Sequence, residues 1–311
     1  MYRKLSKIKK ILIIGINNLF AVKLLETLYK NYEVYGYDII YLSKYKRKYK
    51  KIFFPKNGNI LDSLKKILEI KFDLIYYFDY FPQETFLLSE DKAFELYKNL
   101  RFYFNKAKPK KIIFISNTYP LNLFLKKDNS YSYTEKKYKW SFQLENLIKR
   151  ANFKNWKIFR FHNIIDTYYY NHYLHQMLYS LKQINVENQK AGTFYIIKET
   201  EKSFITLDKA LELLKLYEVS ENTGVYIFSS KEKINTKILF QFLLLNFKRK
   251  PKYIIYKKNL DFITQIEPDC LKNINFITAD IDIINEIFKI LKIIRGAKRQ
   301  DTYLVKMIYK N

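Results

Sequence analysis

The strongest constraint on the fold is that short apolar runs alternate with segments of helical periodicity along the first half of the chain. The apolar runs predict strands, and the segments between them repeat apolar side chains near a 3.6-residue period. We predict strands at residues 11–14, 33–40, 72–78, 111–116 and 157–161, and helices at residues 17–30, 61–70, 90–106 and 143–151. Strands that alternate with helices of about 10 to 15 residues form βαβ units. The sequence therefore predicts an α/β fold with a doubly wound parallel sheet.

The composition indicates a folded chain without a membrane span. Apolar residues make up 48% of the chain, and no apolar run approaches the roughly 18 residues that a spanning helix needs. The basic start of the chain runs directly into the first predicted strand, without the apolar core of a signal peptide. Cys270 is the single cysteine, so no internal disulfide can form. We expect a cytoplasmic protein.

The net charge of +27 does not by itself indicate a nucleic-acid partner. The abundant residues lysine, isoleucine, asparagine, tyrosine and phenylalanine share A/T-rich codons, so genome composition can supply the charge. The basic residues are spread along the chain, and the one dense cluster is residues 44–51. Tyr45 and Tyr49 lie in that cluster, where we expect a solvated loop. A dinucleotide or a nucleotide sugar would also benefit from the positive charge.

A strand–turn–helix at residues 11–28 has the arrangement of a dinucleotide-binding loop. In such a loop, backbone amides and the helix N-terminus contact a pyrophosphate. Gly15 suits the tight turn. Asn18 stands where a second glycine is usual, because asparagine tolerates a left-handed backbone, and Leu19 follows it. Ala21 permits close packing of helix and strand. Asp38 ends the second strand 23 residues after Gly15, where a carboxylate can bond a ribose diol.

Further segments, in order along the chain, resemble motifs of the extended short-chain dehydrogenase/reductase (SDR) superfamily, of the epimerase/dehydratase type. Residues 58–62 resemble its adenine-contacting segment, with Asn59 in place of an aspartate, and residues 72–78 resemble its fourth strand. Residues 160–166 resemble its Arg-x-x-Asn-x-x-Gly motif, and residues 202–208 resemble its Arg-x-Phe-Ile-x-Val-x-Asp segment. Four of the six glycines fall where the family has one: Gly15, Gly36, Gly58 and Gly224.

The resemblance implies a tyrosine and a lysine four residues apart on one helix, and a serine or threonine after the fifth strand. Two registers compete for the tyrosine. Tyr133 with Lys137 is a complete pair, whereas Tyr138 would be followed by Phe142 in place of the lysine. The spacing to the next strand favours the second register. Asn117 occupies the serine/threonine position, and Thr118 would occupy it after a shift of one residue.

The resemblance also implies a Rossmann domain over residues 1–165 and a smaller substrate-binding lobe over residues 166–311, partly interleaved with it. The implied activity is that of an NAD-dependent sugar-nucleotide epimerase, dehydratase or reductase, with NAD favoured over NADP because Asp38 repels a 2′-phosphate. The implied cofactor contacts are Gly15, Asn18, Leu19, Ala21, Asp38, Asn59, Ile60 and Phe78, and the implied substrate contacts are Arg160 and Asn163.

Two other functions compete with this one. Loss of the family residue at Asn18, Asn59, Asn117 and Phe142 suggests a catalytically silent protein that binds a dinucleotide or serves as an assembly subunit. The charge suggests an RNA-binding relative. We expect no metal site, because His172 and His175 have no carboxylate or cysteine near them in sequence. The sequence leaves the substrate open, and it leaves open whether the protein is a homodimer.

Overall fold

The computed structural model describes residues 8–39, 48–55, 58–79, 90–117, 133–150, 153–165, 194–199, 201–220, 222–245, 253–258 and 274–296. The strands are β1 (Lys10–Ile14), β2 (Glu33–Tyr37), β3 (Lys51–Phe53), β4 (Leu74–Phe78), β5 (Lys111–Asn117), β6 (Trp156–Phe161), β7 (Asn163–Ile165), β8 (Phe194–Glu199), β9 (Glu201–Lys202), β10 (Phe204–Thr206), β11 (Gly224–Ser230), β12 (Ile234–Asn235), β13 (Tyr253–Lys258) and β14 (Ile274–Ala279). The helices are α1 (Leu19–Leu28), α2 (Ile60–Leu68), α3 (Glu90–Lys106), α4 (Tyr133–Arg150), α5 (Leu207–Glu218), α6 (Thr236–Leu245) and α7 (Ile283–Gly296).

Eight strands form one sheet in the order β14-β11-β6-β5-β4-β1-β2-β3, and every pairing in it is parallel. The chain builds the sheet outward from β1 in one direction through β2 and β3, and then in the other direction from β4. The strand order therefore reverses between β1 and β4, which makes the carboxyl ends of these strands the topological switch point. The predicted doubly wound α/β fold is confirmed.

Both faces of the sheet are covered, because successive side chains of a strand point to opposite faces. On β1, Ile11 and Ile13 pack against α1 and α5, whereas Leu12 and Ile14 pack toward α2, α3 and α4. All four side chains are fully buried. A strand that is buried on both faces needs an uninterrupted apolar run, which is why these strands are recognisable in the sequence.

A third apolar cluster lies among the elements after β6. Ile165 of β7 and Phe204 of β10 pack with buried side chains from α6 and α7. Three two-stranded sheets accompany it, in which β10 pairs with β7, β12 with β9, and β13 with β8. None of the helices in the described ranges combines the length and apolar composition that crossing a membrane requires.

Most predicted elements of the first half occur within a few residues of their predicted bounds. The helix predicted from residue 143 begins ten residues earlier, at Tyr133, and β3 was not predicted. Strands β11 and β14 come from the second half of the chain and extend the sheet beyond β6. The boundary between residues 165 and 166 stays a prediction.

Candidate functional site

The loop after β1 lies at the switch point and is built around Gly15. The φ angle of Gly15 is +87°, and a Cβ atom at this position would lie 2.8 Å from the carbonyl oxygen of Phe78 on β4. Its N–H donates to the carbonyl of Tyr37 on β2 (2.9 Å), and its carbonyl accepts from the N–H of Asn18 (3.1 Å). Only glycine combines this backbone angle with this clearance. The turn therefore brings the chain close against the ends of β2 and β4.

Asp38 fixes the same loop from the end of β2. One carboxylate oxygen accepts the N–H of Asn17 (2.9 Å) and the other accepts the N–H of Ile39 (2.8 Å). The residue is 1% exposed. Asp38, the residue predicted to bind a ribose, thus also holds the loop, a role that sequence reasoning missed.

The predicted left-handed backbone at Asn18 is wrong. Its φ and ψ are −68° and 130°, an extended conformation, and its side chain accepts the N–H of Phe20 (2.9 Å). Asn18 is thus the N-cap of α1, a position at which asparagine is favoured for its side-chain acceptor. Leu19 is the first, half-buried residue of the helix, and Ala21 is fully buried against the sheet.

The other predicted cofactor contacts lie at the start of α2 and the end of β4. Asn59 is exposed and is the N-cap of α2, where its side chain accepts the N–H of Asp62 (3.1 Å). Ile60 begins that helix and is half-buried. The Phe78 ring is buried and packs edge-on against Phe20 of α1, with ring centres 5.5 Å apart. A cofactor would therefore contact the backbone of Phe78, which lies beside Gly15, and not the Phe78 ring.

Tyr49 does not lie in a solvated loop, contrary to our expectation. It is 6% exposed, and its ring carbons lie within 3.1–3.2 Å of where a Cβ on Gly36 would be. Its hydroxyl has no hydrogen-bond partner among the described residues. Burial, and to a smaller extent the negative charge of Asp38, raise the pKa of this hydroxyl above its usual range. Tyr49 thus lies near Asp38, and nothing in the basic segment indicated its burial.

The predicted catalytic residues lie on two neighbouring elements. Tyr133, Lys137 and Tyr138 belong to the first two turns of α4, and Asn117 is the last residue of β5. Strand β5 pairs with β4 on one side and β6 on the other, so Asn117 lies at the carboxyl edge of the sheet. Thr118 lies outside the described residues. Both tyrosine registers stay predictions.

Arg160 lies on β6, beneath α4. It is 2% exposed, and its guanidinium forms an ion pair with Glu145 of α4, which is fully buried. Its Nε donates to one oxygen of Glu145 (3.2 Å), and its Nη2 donates to the other. A contact between Arg160 and a substrate stays a prediction, but the two hydrogen bonds described for its guanidinium are both to the buried Glu145. Sequence reasoning missed the partner, although residues 141, 144, 145 and 148 have the spacing of one helix face.

The second predicted substrate contact, Asn163, begins β7 and is half-buried. Its side-chain amide donates to the carbonyl of Ser203 (2.9 Å). His162 lies between Asn163 and β6. Burial lowers the pKa of its imidazole to about 4, and the positive charges of Lys202 and Lys233 lower this pKa further. The imidazole is therefore neutral near pH 7. Basic side chains and a neutral imidazole thus accompany Asn163 at this part of the carboxyl edge.

Within the part of the chain that the structure describes, no three metal-ligating side chains come together. His172, His175 and Cys270 lie outside the described residues, so the structure does not address them.

No protein-family model and no curated protein matches the sequence. The fold, however, matches solved structures over nearly its whole length. A UDP-glucose 4-epimerase from Thermotoga maritima superposes with a TM-score of 0.56 at 14% identity, covering 92% of this chain and 99% of that one. TunA, an NAD-dependent NDP-hexosamine 5,6-dehydratase of tunicamycin biosynthesis, gives a TM-score of 0.61 at 13% identity, with 93% and 99% covered.

A third structure, the UDP-glucuronic acid 4-epimerase from Bacillus cereus in complex with UDP-glucuronic acid and NAD, gives a TM-score of 0.55 at 16% identity. It covers 91% of this chain and 93% of that one. At these identities the likeness concerns the fold. The chain shares the α/β fold of these epimerases and this dehydratase, which is the fold that its resemblance to the extended short-chain dehydrogenase/reductase superfamily implies.

Proposed function

We propose that this protein binds NAD and acts on a nucleotide sugar as an epimerase, dehydratase or reductase. The observation that carries the proposal is the loop at the switch point. Gly15 has a positive φ and no room for a side chain, and Asp38 fixes the next residues from the neighbouring strand. A dinucleotide fold uses these features to bring backbone amides and a helix N-terminus to a pyrophosphate.

The residues at this loop fit a dinucleotide. The missing side chain lets Gly15 lie directly against the end of β4, and α1 begins at Leu19, directly after the loop. Asp38 directly follows β2, the place where a dinucleotide fold has the carboxylate that bonds a ribose diol. The same negative charge would disfavour a 2′-phosphate, so we expect a preference for NAD over NADP.

Bound NAD would supply the acceptor and donor of a hydride at the sugar. The chain itself would hold the sugar and move a proton. Tyr133 or Tyr138 on α4 would carry that proton, and a neighbouring lysine would favour its loss from the tyrosine. Asn117, at the end of β5, would donate a hydrogen bond to the substrate oxygen. Arg160 and Asn163 remain the proposed substrate-side residues.

A fluorescence titration with NADH at near-physiological salt tests the proposal, with NADPH measured beside it. We expect micromolar binding of NADH and weaker binding of NADPH. Asp38→Ala removes both the ribose contact and the bond to the Asn17 N–H. Because a hydrogen bond to a charged group contributes about 1.5–3 kcal/mol, we expect a loss of roughly 10- to 100-fold in NADH affinity.

Two variants serve as controls for this titration. Asp38→Asn keeps an oxygen for the loop N–H but removes the charge, so it should reduce the preference for NADH over NADPH. Glu33→Gln changes a carboxylate at the opposite end of the same strand and should leave both affinities unchanged. Failure of the wild-type protein to bind either cofactor would contradict the proposal and leave the fold as the only link to these enzymes.

A catalytically silent NAD-binding protein is the second candidate. The sequence at Phe142 favours it, because this residue stands four positions after Tyr138, where the implied proton transfer needs a lysine. The two candidates differ in one measurement. Tyr133→Phe and Tyr138→Phe, made separately, should leave NADH binding intact, and one of them should abolish turnover of any nucleotide sugar that the wild type converts. Binding of NADH without turnover in a broad screen would favour the silent protein.

We further propose a homodimer in the cytoplasm, where Cys270 stays reduced. Phe94 and Phe102 on α3 are 45% and 36% exposed, and Phe94 packs against Trp140 of α4. A second copy covering this aromatic face would remove it from water. Light scattering should give twice the monomer mass, and the double variant Phe94→Glu, Phe102→Glu should give the monomer mass. A monomeric wild type at micromolar concentration would contradict the dimer.

A further inference from the structure

A row of polar side chains lies inside the molecule, between the sheet and α4. Ser116 of β5 and Arg160 of β6 are direct neighbours in the parallel register. Each lies two residues after a buried apolar side chain, Phe114 and Ile158, and so on the same face of the sheet. Ser116 is 6% exposed and Arg160 is 2% exposed. The row is thus one layer above the apolar core, toward the carboxyl edge where Asn117 ends β5.

Helix α4 covers the row with two more buried polar residues. Ser141 and Glu145 are four residues apart, lie on one face of the helix, and are both fully buried. Glu145 neutralises Arg160 through the two bonds described above. A buried ion pair with this geometry ties a helix to a strand at one register, because any slip of either element would leave a charge unpaired in the interior.

Three polar atoms in this layer have no hydrogen-bond partner among the described residues: the hydroxyls of Ser116 and Ser141, and Nη1 of Arg160. Native proteins rarely leave such groups unsatisfied, and small polar cavities usually hold ordered water. The hydroxyls can donate and accept, whereas Nη1 only donates. We therefore expect ordered water to bond these atoms.

We propose that Arg160 is a positioning residue that holds α4 through Glu145 and the end of β5 through buried water shared with Ser116 and Ser141. This arrangement fixes the tyrosine-bearing turns of α4 relative to Asn117. The planar guanidinium can bond Glu145 and a water molecule at the same time, because Nε and Nη2 bond the carboxylate while Nη1 points elsewhere. A lysine, with a single nitrogen, cannot form the same pair of contacts. The inference rests on the proposed function for its effect on cofactor and substrate, but not for its effect on α4.

The test compares Arg160 with a buried basic residue whose described hydrogen bonds go to the end of α5 rather than to α4. Lys157 lies three residues earlier on β6, is also fully buried, and donates to Tyr217 and Ser220 at the end of α5. Arg160→Met and Lys157→Met are therefore matched variants, since each removes one buried cation from the same strand. Both should lower the melting temperature. Arg160→Lys and Glu145→Gln test whether the charge alone is sufficient.

Trp140 reports the position of α4 without any ligand. It precedes Ser141 and stacks on Tyr97 of α3 with ring centres 5.0 Å apart. The chain has two tryptophans, so Trp156→Phe leaves Trp140 as the single tryptophan, which is excited selectively at wavelengths where tyrosine does not absorb. In this background we expect Arg160→Met to shift the Trp140 emission to the red and to increase its quenching by acrylamide. Lys157→Met should change neither, at a temperature where both variants are folded.

Cofactor binding and turnover supply the second measurement. We expect Arg160→Met and Arg160→Lys to weaken NADH binding about tenfold and to lower kcat more than they raise KM, with Lys157→Met close to wild type. Equal effects of Arg160→Met and Lys157→Met on Trp140 and on NADH would overturn the positioning role. If the wild type binds no NADH, the proposed function fails, and the Trp140 comparison alone decides the position of α4.

A crystal structure at high resolution tests the water. We expect a water oxygen within hydrogen-bond distance of Ser116 Oγ and Arg160 Nη1. A dry layer, or Ser116 bonded directly to Arg160, would overturn the water-mediated half of the proposal. Ser141→Ala should then be stabilising, because it removes a buried hydroxyl without a partner, whereas with bound water it should be destabilising because one partner of the water is lost.

Discussion

Gly15 and Gly58 both have positive φ angles, +87° and +76°, but their surroundings differ. A Cβ on Gly15 would lie 2.8 Å from the Phe78 carbonyl oxygen, whereas one on Gly58 would meet no atom within 4 Å. The two positions thus separate the cost of an unfavourable backbone angle from the cost of a steric clash. For an ordinary residue, the left-handed region alone costs roughly 1–2 kcal/mol.

Gly58→Ala should therefore lower the free energy of unfolding by about 1–2 kcal/mol, and Gly15→Ala should lower it by clearly more. Gly15→Ala should also abolish NADH binding, because the loop must move away from β4 to admit the methyl group. Urea unfolding and the NADH titration measure both effects. Equal destabilisation of the two variants would mean that the loop at Gly15 relaxes without cost.

The N-cap role of Asn18 makes a different prediction from a left-handed backbone. Asn18→Ser should retain stability, Asn18→Ala should lose about 1 kcal/mol, and Asn18→Gly should lose a few tenths. A left-handed residue would instead be stabilised by glycine and destabilised by serine. Thermal unfolding of the three variants distinguishes the two. The order Gly above Asn above Ser would contradict the cap.

Residue identity predicted where Gly15 and Asp38 lie but not all that they contact. Asp38 directly follows β2, which ends at Tyr37 although the strand was predicted to continue to residue 40. Its bond to the Asn17 N–H depends on how two distant segments meet. The same holds for Arg160 and Glu145, whose charges suggest exposure until the register of β6 under α4 is known.

At the scale of elements, the C-terminus of α5 joins the amino ends of β5 and β6 through buried charges. Lys111 donates to the carbonyl of Glu218, Lys157 donates to the carbonyls of Tyr217 and Ser220, and the Glu218 carboxylate accepts from the hydroxyl of Tyr76. These lysines satisfy helix carbonyls that have no partner within the helix. Burial lowers the pKa of Lys157 to about 7, with help from Lys111, and burial raises the pKa of Glu218 to about 6.

These two shifts predict how stability changes with pH. Between about pH 4.5 and 6 the folded chain keeps a proton on Glu218 that the unfolded chain has lost, so the free energy of unfolding falls as pH rises. Between about pH 7 and 10.5 the unfolded chain keeps a proton on Lys157 that the folded chain has lost, so the free energy of unfolding rises with pH. Glu218 and Lys157 together therefore contribute least to the free energy of unfolding between about pH 6 and 7.

Urea unfolding across pH 4.5–10 measures this dependence against the variants Glu218→Gln and Lys157→Met. Glu218→Gln should remove the fall on the acid side, and Lys157→Met should remove the rise on the alkaline side. The difference between wild type and variant is compared at each pH, because other groups also titrate. Parallel curves would mean that both groups titrate in the folded chain as they do in the unfolded chain.

The elements that the sequence predicted are those whose own residues determine them. Strands β1, β4 and β5 each contain an apolar run of four or five residues, because both of their faces are buried. Strand β3 has three residues, too few for a period, and it forms because β2 offers an unpaired edge. The start of α4 was missed because its first turns are polar, with apolar spacing only after Trp140. Strand β14 has exposed and buried residues mixed, as expected of an edge.

At the scale of the whole molecule, the eight-stranded sheet is completed by strands far along the chain. Strand β6 ends at Phe161, yet its outer neighbour β11 begins at Gly224, and β14 begins at Ile274. During synthesis from the N-terminus, the edge of β6 therefore stays unpaired for roughly sixty further residues, several seconds at about 5–20 residues per second. An open edge of this kind can pair with another chain. Efficient folding should thus depend on how the emerging chain is protected in that interval, and truncation before Gly224 should leave an aggregating product rather than a smaller stable domain.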